Sequence, residues 1–224
     1  MALKAVLFDI DGTLVDSNEL HVRAWAEAFG AEGARFDDQA IHDQIGKGAD
    51  MLIPALLPDA DEAQSKRLET AHAEAFKSRY LDRVEAFPRA RELLVRVQQS
   101  GRKVVLASSA SKDELDHYVD LLGVRDVVSE TTSADDVEKT KPAPDIFATA
   151  LGKVAPLSAG EVIVVGDTPY DVEAAAKCGI RTVALRSGKF ADEALQAAGA
   201  AALYDDVASL LADFDNSPLG SAPR

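Results

Sequence analysis

Lys4-Ala-Val-Leu-Phe-Asp-Ile-Asp-Gly-Thr-Leu14 opens as a short apolar run and closes on two aspartates one residue apart. Ala5, Val6, Leu7 and Phe8 form an unbroken hydrophobic stretch, the pattern of a parallel strand covered on both faces. Side chains alternate along an extended chain, so Asp9 and Asp11 point the same way and Ile10 points away. Gly12 then permits a tight turn and close approach of a ligand to the backbone. Two carboxylates on one side of a strand end repel each other unless a cation or a shared proton lies between them. A hard divalent ion such as Mg²⁺ suits such a pair.

The 224 residues, 47% of them hydrophobic, suffice for one sizeable core and a smaller second unit. No apolar run approaches the roughly 20 residues of a membrane span. The N-terminus lacks the features of a signal peptide, and a single cysteine, Cys178, allows no internal disulfide. A cytoplasmic protein is the expectation. The net charge of −14, from 24 basic and 38 acidic residues, opposes nucleic-acid binding and most anionic membranes. An anionic substrate would then depend on local positive charge.

Outward from the first strand the pattern is helical. Asp16 is placed as an N-cap with Glu19 three residues on, and Trp25, Ala28 and Phe29 give the helix an apolar face. Leu68, His72, Ala75, Phe76 and Tyr80 recur at helical spacing in a second long helix. Residues 16–85 therefore read as an all-helical block inserted after residues 1–15. Residues 86–214 then alternate helix and strand. Strands are expected at Lys103–Ala107, weakly at Val124–Ser129, at Glu161–Val165, at Arg181–Leu185 and at Ala201–Tyr204. Ser111 with Glu114 forms a capping box, and Thr168 with Pro169 opens a later helix. Residues 215–224 form a polar tail expected to be disordered.

Alternating strands and helices predict an α/β architecture, a Rossmann-like, doubly wound parallel sheet carrying a helical cap. Such sheets bind ligands at the carboxyl ends of their strands. Asp9, Ser108 and Asp167 each follow a predicted strand, so this topology gathers them at one edge. Ser108 offers a hydroxyl beside backbone N–H groups that can hold an anion. Lys141, held extended by Pro142, offers a point positive charge for a phosphate. Asp171 lies in the first turn of a helix, where the dipole favours an acid.

D9-I-D-G-T, Ser108, Lys141-Pro142 and G166-D-T-P-Y-D171 occur in the order and setting of the four motifs of the haloacid dehalogenase-like superfamily, which the chain resembles over all but its tail. The helical insertion resembles the subfamily that includes phosphoglycolate phosphatase and β-phosphoglucomutase. The resemblance implies a Mg²⁺-dependent phosphatase acting on a small phosphorylated metabolite, a sugar phosphate or phosphorylated organic acid, as a monomer or homodimer. It implies Asp9 as nucleophile and Asp11 as acid/base. The metal would be held by Asp9, the backbone carbonyl of Asp11, Asp167 and Asp171. Gly12, Thr13, Ser108, Ser109 and Lys141 would surround the phosphoryl group. In the cap, His21 and Lys47 are the candidates for the rest of the substrate, with Lys47 in the turn Gly46-Lys47-Gly48 meeting its non-transferred end.

A dehalogenase of this superfamily lacks an acid at the position of Asp11, and a phosphonate hydrolase would need Lys47 as a Schiff-base lysine. The stronger alternative is a sugar-phosphate mutase of the β-phosphoglucomutase type. Asp16, His21, Ala24 and Trp25 resemble that group's cap, but Lys47 stands where the mutase carries an arginine. A different class is a non-catalytic binding protein on the same scaffold; loss of any of Asp9, Asp11 or Asp167 would support it, and all three are present.

Overall fold

The structure is a computed structural model and describes residues 2–220. From β1 (Ala5–Phe8) the chain turns through Asp9–Leu14 into a two-residue strand, β2 (Val15–Asp16). Four helices follow: α1 (Asn18–Ala31), α2 (Asp38–His42), α3 (Ala49–Leu56) and α4 (Glu62–Arg79). The chain returns through β3 (Glu85–Ala86), which pairs antiparallel with β2, Val15 opposite Ala86. Helix and strand then alternate through α5 (Ala90–Gln99), β4 (Lys103–Ala107), α6 (Lys112–Leu122), β5 (Glu130–Thr132) and α7 (Asp145–Lys153). The last third runs through β6 (Val162–Gly166), α8 (Pro169–Lys177), β7 (Arg181–Leu185), α9 (Asp192–Ala198), β8 (Ala202–Tyr204) and α10 (Val207–Ala212).

Among the described residues the main sheet has six strands in the order β5-β4-β1-β6-β7-β8, all parallel. Phe8 lies opposite Leu106 of β4 and Val165 of β6. The strand's period of two splits β1 between two cores. Val6 and Phe8 join Leu93, Leu106 and Tyr118 on one face, while Ala5 and Leu7 join Ile146, Phe147 and Ala174 on the other. Burying a Leu or Phe side chain is worth about 1.5–3 kcal/mol, so a one-residue slip that exchanged the two faces would be strongly opposed. That pinned register fixes where the strand ends stop, and the candidate acids follow directly after them.

The helical segment has a core of its own, built from Trp25, Phe29, Ile41, Leu52 and Leu68. Three local expectations are corrected. Ser17, not Asp16, is the N-cap of α1, because Asp16 is taken into the β2–β3 ribbon. The strand expected at Val124–Ser129 forms instead at Glu130–Thr132; Val124 and Val127 are buried as loop residues. Asp215–Gly220 is not frayed: Ser217 and Leu219 are fully buried and Arg96 pairs with Asp215 at 2.6 Å. Residues 221–224 lie outside the described residues.

Candidate active site

Asp9, Ser108 and Asp167 stand one step beyond β1, β4 and β6, which are neighbours in the sheet. The Lys141 ammonium reaches the same edge from the loop before α7. It donates to Asp9 Oδ1 and lies 2.7 Å from Asp171 Oδ1, with all three side chains buried. Asp171 also completes the capping box of α8, accepting from the Thr168 amide at 3.0 Å and its hydroxyl at 2.8 Å. One of its oxygens thus serves the helix and the other faces Lys141. Asp167 accepts from Thr13 Oγ1 at 2.7 Å and from Asn18 Nδ2 at 3.1 Å.

Carboxylate oxygens of Asp9, Asp167 and Asp171 lie within 4.8 Å of one another, all buried, with one ammonium among them. Burial pushes the Asp9 carboxyl up to about 7, against the pull of Lys141, with Asp171 and Asp11 adding to the rise. Burial also raises Asp167 well above the usual range, reinforced by the charges of Asp9 and Asp171. Desolvated, mutually repelling carboxylates with an all-oxygen donor set suit a hard divalent cation. The backbone leaves room for the cluster at three glycines: a Cβ on Gly12 or Gly188 would come within 2.2 or 2.0 Å of Asp167 Oδ2, and one on Gly166 within 2.6 Å of Asp171 Cγ. Gly12 also has φ +73°, a conformation side chains other than glycine rarely adopt. The residues present therefore fit a metal ion.

Asp11 sits in a different environment. Its Oδ1 accepts from Ser17 Oγ at 2.6 Å and lies 3.2 Å from His21 Nε2, and its Oδ2 accepts from Ser108 Oγ at 3.3 Å. Burial would raise its pKa, but the His21 and Ser17 contacts outweigh this, and the carboxyl titrates below its usual value. His21 is itself held in a stack. Phe76 lies against its ring at 3.8 Å between centroids, and His72 Nε2 is 3.3 Å from its Nδ1. Trp25 covers His72 at 4.0 Å, and burial together with His21 pushes the His72 imidazole well below its normal pKa. Two helices of the cap, α1 and α4, thereby reach the acid on the sheet.

The loop between α2 and α3 closes the site from above. Gly48 N donates to Thr140 Oγ1 at 2.8 Å, Asp50 accepts from the Thr140 amide at 3.0 Å, and Ser109 Oγ donates to Gly46 O at 3.2 Å. Gly46 packs so closely on Thr168 that an added Cβ would lie 2.7 Å from its methyl group. Between this loop and the sheet edge is a cavity of about 310 Å³ lined by Asp9, Asp11, His21, His72 and Ser108, among others.

Of the residues singled out in the sequence, Asp9, Asp11, Ser108, Ser109 and His21 line this cavity, and Lys141, Asp167, Asp171, Gly12 and Thr13 surround its floor. Lys47 is at the wall, but its ammonium donates to Gln44 Oε1 at 2.5 Å and lies 4.4 Å from the centre of the Tyr170 ring. Neither of those partners lines the cavity. Ser17, Asn18, His72 and Thr140 are contributors that sequence reading missed. His72 had a signal, being a polar ring in an apolar helical stripe; the others are ordinary polar residues until the fold brings them in.

The family model described as haloacid dehalogenase-like hydrolase matches residues 6–185. The chain belongs to that family. A phosphoglycolate phosphatase from Yersinia pseudotuberculosis is 31% identical over 199 residues, covering 87% of this chain and 85% of its own. The fructose-1-phosphate phosphatase YqaB of Escherichia coli is 28% identical, covering 81% of this chain and 95% of its own. The chain spans only 20% of a further relative, Protein SUPPRESSOR OF QUENCHING 1, chloroplastic, of Arabidopsis thaliana, at 29% identity. Among solved structures, a hydrolase from Pseudomonas syringae superposes with a TM-score of 0.89 at 32% identity, covering 95% of this chain and 98% of that one. None of the described helices is long and apolar enough to cross a membrane.

Proposed function

We propose that this hydrolase is a Mg²⁺-dependent phosphatase of small phosphorylated metabolites that works through an aspartyl-phosphate. The observation that carries this reading is the division of labour between the two aspartates of the first strand end. Asp9 sits on the buried lysine and the metal-suited acids, while Asp11 is two residues on and held by hydroxyls and an imidazole. Relatives named as phosphoglycolate and fructose-1-phosphate phosphatases support it.

In this reading an Asp9 oxygen attacks phosphorus and the bond from phosphorus to the leaving oxygen breaks. Asp11 delivers a proton to that oxygen; because it rests ionised, the proton arrives with the monoanionic ester. Asp11 then takes a proton from water, which attacks the phosphorus and releases phosphate and the Asp9 carboxylate. Lys141 balances the charge of Asp9 throughout, and Ser108 together with the amides of its turn holds phosphoryl oxygens. Asp9, the backbone carbonyl of Asp11, Asp167 and Asp171 would hold Mg²⁺, which when bound supplies charge neutralisation at the phosphoryl group. A mutase would need a second cationic site for a bisphosphate, and the ammonium of Lys47, its candidate, is engaged by Gln44 and the Tyr170 ring.

The test is release of inorganic phosphate from p-nitrophenyl phosphate with Mg²⁺. Turnover abolished by EDTA and restored by excess Mg²⁺ supports the reading. Absence of turnover, or turnover indifferent to EDTA, refutes it.

A further inference from the structure

We infer that the leaving-group half of the cavity takes an uncharged, hydroxyl-bearing group, so that the substrate is a sugar or polyol monophosphate and a second anion on it is selected against. This rests on the phosphatase reading and narrows its substrate class.

The charge lining the cavity is lopsided. Beyond Asp9 and Asp11, carboxylates reach its wall from four separate stretches: Asp50 on α3, Glu69 on α4, Glu114 on α6, and Asp135 and Glu138 between β5 and α7. Asp50 accepts from the Thr140 amide, Asp135 accepts from the Lys112 amide, Glu114 accepts from the Ser111 hydroxyl, and Glu69 pairs with Lys66 three residues before it on α4. Glu138 has no hydrogen bond or ion pair among the described residues. On the positive side, Lys47 is the one lysine or arginine among the described lining residues. Its ammonium is spent on Gln44 and the Tyr170 ring, outside the cavity. Lys141 is spent beneath the floor on Asp9 and Asp171. Two cap imidazoles also line the wall: His21 Nε2 lies 3.2 Å from Asp11 Oδ1, and His72 is buried against Trp25 and His21, which holds its pKa well below the usual value.

A carboxylate or second phosphate on the substrate would thus enter facing fixed negative charge, and among the described lining residues Lys47 and His21 are already engaged, by Gln44 and Tyr170 and by Asp11. Charges elsewhere on this acidic surface are screened beyond about 8 Å at physiological salt, and those that line the cavity itself are the ones a bound group meets first. Hydroxyl groups meet the opposite situation. Their O–H donors find carboxylate acceptors, Glu138 above all, and their lone pairs can accept from an imidazole N–H. The Ser109 and Ser111 hydroxyls already donate to Gly46 O and Glu114, so they remain as acceptors for further O–H groups. The volume, about 310 Å³, is at the small end for ligand pockets and suits a single small metabolite.

The experiment compares kcat/KM of the wild-type enzyme with Mg²⁺ for a hexose monophosphate, a phosphorylated hydroxy acid and a phosphorylated amino alcohol. p-Nitrophenyl phosphate is included to report hydrolysis as such. The expected result is at least a tenfold preference for the hexose monophosphate over the phosphorylated acid. Glu138→Lys, at an exposed position where folding is not at stake, should narrow that ratio by about fivefold, with Glu138→Gln falling between. An acid hydrolysed as well as the sugar overturns the inference, as does a ratio unmoved by Glu138→Lys. A tenfold preference for the amino alcohol over the sugar overturns it too, since the cavity would then be a cation site. Loss of all turnover, p-nitrophenyl phosphate included, would instead remove the phosphatase reading beneath it.

Discussion

The floor and the roof of the cavity are held in place by different means. Asp9, Ser108 and Asp167 owe their positions to strands whose side chains are buried on both faces, and Lys141 joins them as a buried counter-ion. The roof loop around Gly46–Asp50 is held by a handful of hydrogen bonds to Thr140 and Ser109 and by glycines that let it approach. A sheet edge fixed by many apolar contacts can keep like charges together at a cost; a hydrogen-bonded loop can open and reclose. The proposed function puts chemistry on the first and selection on the second.

The largest effect that separates the two is expected at Asp9. Asp9→Asn keeps shape but removes the attacking charge, and kcat should fall by on the order of a thousandfold or more. Near wild-type kcat in a clean preparation would mean the floor is not where the bond is made. Asp11→Asn should cost roughly 10²–10⁴-fold, with the greater loss for a poor leaving alcohol if phosphorylation limits the rate. Steady-state kinetics on paired esters of different leaving-group pKa read this out, and an unchanged rate with the poor leaving group would remove Asp11 from proton transfer.

Glycine replacements sharpen the comparison. Gly12 and Gly33 both have positive φ, at +73° and +79°, but a Cβ on Gly12 meets Asp167 whereas one on Gly33 meets nothing within 4 Å. Left-handed backbone costs about 1–2 kcal/mol for a residue with a Cβ. Gly33→Ala should therefore lose about that much in chemical denaturation while keeping kcat. Gly12→Ala should lose more stability and most activity; equal activity in the two variants would show that the floor tolerates displacement.

The smallest effect is expected at Lys47. Its contact with the Tyr170 ring is worth about 0.5–1 kcal/mol. Lys47→Ala should change kcat/KM by less than about threefold, alike for a phosphorylated acid and p-nitrophenyl phosphate. A selective loss on the acid would place the ammonium inside the closed cavity and reverse the charge assignment of the roof.

Much of the floor was readable because its signals are local. A buried strand announces itself by a continuous apolar run, and the residue after it is then known to stand at the sheet edge. Thr168, Pro169 and Asp171 likewise declare the start of α8 within four residues of chain. The failures came where neighbours in space overrode local preference. Asp16 has cap chemistry, but pairing with Glu85 claimed its backbone. The valines at 124 and 127 have strand character, but they pack as loop residues and the pairing with β4 begins later, at Glu130.

By itself, the sequence determined the parallel α/β plan, the helical insertion, and the edge shared by Asp9, Ser108 and Asp167, because apolar periodicity and capping act over a few residues; Lys141 joined them only through the family resemblance. Only the tertiary structure decided which groups those residues meet. It turned the Lys47 ammonium toward Gln44 and Tyr170, stacked His72 behind His21, and used Thr140 to dock the roof. Those choices depend on how the helical segment closes on the sheet. No short stretch encodes that closure, since it is set by contacts between residues far apart in the chain.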